Sequence, residues 1–260
     1  MSKKLWNIFA GLCGVLLWSV CVVSAGAQAA PVKEKPPMYS YVANWQVPRA
    51  HWAEMEAAST GDNALLDKAM ADGTIVAYGN DEVQVHEADG PTHDDWWSSM
   101  SMGGLMKVLD DLASSGSTTS SALMTATKHW DEVFVSRYYN WKPGSYKKDY
   151  THVSMYKLKA DAPDDALEML SSDLIAPLLE KMLADGTIVE YEIDTMAIHT
   201  ESPDTFAVVY VTPSPDGMDK VTAAIEETLK VNPLAGPAFG SMTDSSAHRD
   251  ELLKGVSTFK

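Results

Sequence analysis

Four of the seven histidines fall at matching places in the two halves of the chain: His86 and His199 lie 113 residues apart, His129 and His248 lie 119 apart. An imidazole titrates near neutrality, so a histidine closing a strand suits acid/base catalysis, ligation of a metal or haem, or a hydrogen bond at a cavity rim. His86 and His199 each close the second expected strand of their half and are the candidate catalytic residues. His129 and His248 each stand two positions before an aspartate, Asp131 and Asp250. A carboxylate can orient an imidazole and raise its basicity. On a helix, however, residues two apart point to different sides, so these pairs read as capping groups or surface ion pairs.

The aromatic residues are unevenly shared. Beyond the N-terminal segment every tryptophan, Trp45, Trp52, Trp96, Trp97, Trp130 and Trp141, lies in the first half. An aromatic wall with a few hydroxyls suits a planar or greasy small molecule, and Trp96, Trp97, Trp45 and Tyr41 are the candidate ligand-binding residues. Alternation along a strand lets only one of Trp96 and Trp97 face covering helices. The densest group of metal-ligand types, His86, Glu87, His93, Asp94 and Asp95, matches no known metal-site spacing. With Gly90-Pro91 in its middle it reads as a solvated hairpin, and no metal is expected. The chain has no phosphate-cradling glycine loop, nucleophile elbow or zinc-protease helix motif.

Lys3 and Lys4, the apolar run Leu5 to Val23 and the small-x-small pattern Ala27-Gln28-Ala29 form an export signal, residues 1–29. A periplasmic or extracellular location follows as an expectation. Both cysteines, Cys13 and Cys21, lie inside that segment, leaving the mature chain without a disulfide or thiolate nucleophile. The formal net charge of −16 becomes about −18 without those lysines, a field that repels phosphate backbones and anionic lipid. Nucleic acid is therefore not an expected partner, and neither is a membrane once the signal is cleaved.

The elements that must position these groups are legible because one stretch is written twice. Leu65-Leu66-Asp67-Lys68-Ala69-Met70-Ala71-Asp72-Gly73-Thr74-Ile75-Val76-Ala77-Tyr78 returns as Leu178-Leu179-Glu180-Lys181-Met182-Leu183-Ala184-Asp185-Gly186-Thr187-Ile188-Val189-Glu190-Tyr191. Each copy predicts a helix end, a left-handed glycine cap and a strand start. In the second strand, Val189, Tyr191 and Ile193 alternate with Glu190, Glu192 and Asp194, which predicts one buried and one wet face. Gly79-Asn80-Asp81 suggests a bulge in the matching strand. Each half then reads strand, helix, strand, strand, helix, strand.

That order, with the duplication, resembles the dimeric α/β-barrel superfamily of ferredoxin-like units. The resemblance implies an α/β (α+β) fold: two tandem ferredoxin-like βαββαβ repeats, residues 38–142 and 151–260, forming a pseudo-dimeric α/β barrel. Residues 30–37 would be an extended lead-in and 143–150 a linker. It also implies a cavity between the repeats, holding a small apolar or aromatic molecule in an exported binding protein. The alternative is a cofactor-independent oxygenase or isomerase, or a haem-binding enzyme, using the same cavity. The chlorite dismutase-like branch is what brings haem into question.

Overall fold

A computed structural model of the chain describes residues 30–59, 63–117, 121–200 and 202–260. The expected export signal, and the helix break expected near Thr60-Gly61, lie outside the described residues. Eight strands, β1 (Met38–Gln46), β2 (Ala77–Val83), β3 (His93–Ser99), β4 (Lys128–Trp141), β5 (Gly144–Lys157), β6 (Glu190–Met196), β7 (Thr205–Thr212) and β8 (Arg249–Phe259), form one closed barrel in the order β1-β3-β2-β8-β5-β7-β6-β4. Every pairing is antiparallel.

This corrects the expected fold class. The molecule is a closed antiparallel β-barrel with a few helices outside it, not two tandem ferredoxin-like βαββαβ repeats assembled as a pseudo-dimeric α/β barrel. The hydrogen-bond ladder crosses between the halves twice, at β2·β8 and β4·β6, so there are not two four-stranded sheets but one sheet without edges. Element order could not reveal this, because it does not say which strands close each other's edges. β4 and β5 are separated only by Lys142 and Pro143.

Helices α1 (Trp52–Ser59), α2 (Asn63–Asp72), α3 (Met102–Ser115), α4 (Ala166–Leu170), α5 (Ala176–Asp185), α6 (Pro215–Val231) and α7 (Ala235–Met242) supply the apolar residues that bury the outer face of the barrel. One outer core joins Tyr41, Ala43, Trp45 and Trp97 to Leu66, Leu105, Val108 and Leu112; another joins Tyr191, Ile193, Phe206 and Tyr210 to Leu179, Met182, Leu183 and Val221. The doubled stretch behaves as expected locally. Gly73 and Gly186 take left-handed φ values of 83° and 82° after α2 and α5. Tyr78 then donates its hydroxyl to Asp67 (2.6 Å), and Tyr191 donates to Glu180 (2.7 Å), tying each strand start to the helix before it.

Strand alternation sends the other residues inward, into a lumen. β6 shows the consequence: Tyr191 and Ile193 join the outer core, while Glu190, Glu192 and Asp194 line the barrel interior. The expected wet face is therefore a buried acidic one. The bulge suggested at Gly79 is absent, since β2 keeps its register with both neighbours. Gly79 is needed for space instead: a Cβ there would stand 2.5 Å from Cζ2 of Trp96, which fills the lumen opposite it. Register shifts occur in β4 between Ser136 and Tyr138 and in β5 between Lys147 and Asp149.

Candidate functional site

The outer face of the first half carries a cleft of about 470 Å³ between strands β1 to β4 and the helices, within the range of small-molecule sites. Its floor is aromatic. Tyr41 stacks on Trp97 with centroids 4.5 Å apart, and Trp45 stacks on the His129 ring at 3.7 Å. Trp97 is anchored by donating Nε1–H to the Leu105 carbonyl (3.1 Å). The Trp45 Nε1–H, buried at the same wall, has no hydrogen-bond partner among the described residues. A buried donor left unpaired is costly, so the site favours a ligand that brings an acceptor oxygen.

His129 and Asp131 lie in the cleft wall together, His129 Nε2 standing 3.3 Å from Asp131 Oδ1. The pair is the surface ion pair expected, with side chains 38% and 40% exposed, but it forms on a strand rather than a helix: both belong to β4, where residues two apart share a face. The His129 Nδ1 lies 3.0 Å from the Asn44 carbonyl, which can only accept, so Nδ1 carries a proton. Nε2 then faces the carboxylate, the arrangement that holds or moves a proton between imidazole and acid. Burial first, and then the nearby Asp131 charge, hold the Tyr41 phenol far above its ordinary range. Tyr41 thus stays a neutral donor.

Of the sequence-predicted site residues, the structure brings Tyr41, Trp45 and Trp97 together in this cleft. Trp96 lines both this cleft and the lumen, and its Nε1–H donates to Asp81 Oδ2 (2.9 Å). His86 and His199 are both exposed and stand outside both clefts and the lumen. His86 lies beyond the end of β2 and leans on Trp52, centroids 5.0 Å apart. The dyad that sequence reasoning set aside was signalled by its spacing, once Lys128 to Trp141 is seen as a strand.

The second half repeats the geometry with different chemistry. His248 Nε2 lies 3.3 Å from Asp250, its ring stacks on Tyr156 at 4.5 Å, and Ser154 donates to Asp250 (2.7 Å) where the first half has Tyr41. The adjoining cleft, about 300 Å³, is walled by Leu174, Leu178, Met182, Val208, Ile225 and Phe239, and neither His248 nor Asp250 lines it.

Haem does not fit either dyad. Both nitrogens of His129 are engaged, and those of His248 likewise, by the Met155 carbonyl (3.0 Å) and Asp250. Among the described residues no group of three or more histidine or carboxylate side chains is placed to hold a metal ion.

The lumen has apolar walls, among them Val42, Phe134, Val153, Val209 and Leu253, but also carries a set of acidic groups that the expected apolar cavity did not include. Asp81, Asp94, Glu132, Glu190, Glu192, Asp194 and Glu251 line it, against one cation, Arg249. Burial first, and neighbouring carboxylates after it, push Asp81 up to about 8 and hold Asp94 and Glu190 well above the ordinary range. Burial also raises Glu192 to about 7 and Asp149, beside Ser257, to about 6. The folded barrel therefore binds more protons than the unfolded chain, and its stability falls as pH rises from the ordinary carboxylate range near 4 through about 8. Thermal unfolding followed by circular dichroism should show the melting temperature dropping by roughly 10 °C between pH 5 and pH 8. A flat or rising profile would contradict these protonation states.

No protein-family model matches the chain, and no curated protein matches it. Solved structures do. A "putative monooxygenase" from Lactobacillus acidophilus NCFM superposes with a TM-score of 0.60 at 11% identity, covering 86% of this chain and 97% of the other. A second "putative monooxygenase", from Fusobacterium nucleatum subsp. nucleatum ATCC 25586, gives 0.62 at 11% identity over 86% and 94%. An anthrone oxidase-like protein gives 0.51 at 9% identity over 87% and 94%. At such identities the likeness is one of fold.

Proposed function

We propose that the chain is a cofactor-independent oxygenase acting on a small planar hydroxyaromatic molecule bound in the first-half cleft. The observation that carries this is the Asp131 carboxylate 3.3 Å from His129 Nε2 and near the buried Tyr41 phenol, at the wall of an aromatic cleft that offers one unpaired donor, Trp45 Nε1–H. The three structures of similar fold agree with oxygen chemistry, one being anthrone oxidase-like. The ligand's ring stacks against the Tyr41–Trp97 wall while its oxygen accepts from Trp45. The Asp131–His129 pair takes a proton from an activated ring C–H or O–H, leaving a carbanion that reacts with dioxygen. For a benzylic CH₂ flanked by two rings, one oxygen atom becomes the ketone and the other leaves with both hydrogens as water.

The cleft, rather than the space between the halves, also serves a second reading, an exported binding protein that holds an apolar or aromatic molecule without turnover. The mainly apolar second cleft favours that role for its own half. Export through residues 1–29 to the periplasm or beyond belongs to the same proposal and rests on the sequence.

An oxygen electrode separates the two readings. Purified protein given an anthrone is expected to consume one dioxygen per ketone formed, while binding seen as tryptophan quenching without oxygen uptake would leave only the carrier. Trp45→Phe keeps the ring and removes the N–H, so KM should rise roughly three- to tenfold with kcat little changed. An unchanged KM would remove Trp45 from the site.

A further inference from the structure

We propose that the barrel lumen is a second binding site, taking a thin aliphatic cation with two or more ammonium groups, a linear diamine or polyamine. Four polar atoms point to a missing ligand: Asp81 Oδ1, Asp94 Oδ1, Glu190 Oε1 and Thr151 Oγ1 are each in residues at least nine-tenths buried, line the lumen, and have no hydrogen-bond partner among the described residues. They come from four different strands, β2, β3, β6 and β5, so the orphaned atoms surround the space rather than sharing one wall. A carboxyl keeps an acceptor oxygen whether or not it is protonated, so a partner that brings several N–H groups satisfies these atoms in either state.

Shape and spacing narrow the choice. The lumen leaves about 100 Å³ for the centres of water-sized groups, room for a chain of a few atoms but not for a ring system. Glu190, Glu192 and Asp194 stand on one face of β6, alternate residues that recur every roughly 6–7 Å, the span between the nitrogens of an extended four-carbon diamine. A compact metal ion would need three oxygens converging on one point, which no group among the described residues offers. Apolar residues lining the lumen, Val42, Phe134, Val153, Val209, Val211 and Leu253, can cover the methylene chain.

Entry is prepared by charge. A neighbouring cavity of about 260 Å³ shares Asn44, Glu132, Arg249 and Glu251 with the lumen and adds Glu87, Asp89 and Trp130. An acidic approach of this kind concentrates cations and repels anions. Carboxyls that burial, and after it their neighbours' charge, keep protonated while the lumen is empty ionise once ammonium groups lie among them, so binding releases protons.

Calorimetric titration of the intact protein at neutral pH with putrescine and with spermidine tests this. The expected result is one-to-one binding, an enthalpy that changes with the buffer's ionisation heat, and an amine-dependent rise in melting temperature. Glu190→Gln and Asp94→Asn, close in shape, should each weaken binding at least tenfold while melting at or above the wild-type temperature without ligand. No heat with either amine at millimolar concentration would overturn the proposal, leaving a lumen filled by water and protons. Binding of calcium or magnesium in preference to the amines would overturn it as well. Neither outcome touches the oxygenase reading, which rests on a different cavity.

Discussion

Asp131→Asn is expected to lower kcat of the oxygenase reaction about a thousandfold, within the span of a lost general acid/base, with KM changed less than a few-fold. The reason lies in what Asp131 joins. With His129 Nδ1 committed to the Asn44 carbonyl, Nε2 is the nitrogen that exchanges a proton, and it faces Asp131 at 3.3 Å. An amide keeps the size of the side chain but can no longer balance an imidazolium or accept a proton. The stacked rings, and with them ligand binding, remain. Tyr41→Phe leaves Asp131 ionisable and should cost far less. If Asp131→Asn retained most of the turnover while Tyr41→Phe abolished it, the proton would travel through the phenol and the dyad assignment would fail. A pH profile adds a check: the limb governed by the dyad should disappear in Asp131→Asn.

Gly255→Ala should be the most destabilising single-methyl change among the glycines whose surroundings are defined here, by 3 kcal/mol or more on the scale of overpacking against an unyielding neighbour. A Cβ at Gly255 would sit 2.0 Å from the Asn80 carbonyl oxygen and 2.2 Å from Asp81 Oδ1. The first of these is backbone, so no rotamer change relieves it. Gly255 also pairs with both neighbours of β8, facing Asp81 on β2 and Asp149 on β5 beside the register shift. Moving it disturbs the seam joining the halves. Urea unfolding should show a midpoint far below wild type, whereas Gly103→Ala, where a Cβ meets nothing within 4 Å, should be neutral or slightly stabilising. Equal midpoints for the two variants would show that the seam tolerates more displacement than this packing allows.

The local features were the most legible in sequence. The glycine caps at 73 and 186 and the strands that follow were readable because glycine stops and alternation are governed by neighbouring residues. The Tyr41, Trp45 and Trp97 cluster could be anticipated from composition, but not its place, since an aromatic on a strand faces either the lumen or the helices and only the register decides. The alternation of Glu190, Glu192 and Asp194 was visible yet misread: polar residues on a strand usually meet water, and nothing local announces that the sheet will curl shut around them. The closure itself depends on pairings between distant segments, which a single sequence does not display. His129 and Asp131 were missed for a smaller reason, the period of the element that carries them, 2 rather than 3.6.

The β2·β8 pairing has a kinetic side. It matches Asp81 with Gly255, so β2 waits for an eleven-residue strand whose partner residue lies 174 positions further along the chain. Such distant matching slows folding, because the entropy of looping is lost before any contact repays it. Until β8 leaves the ribosome the barrel has a gap in its wall between β2 and β5, and the nascent chain stays open there.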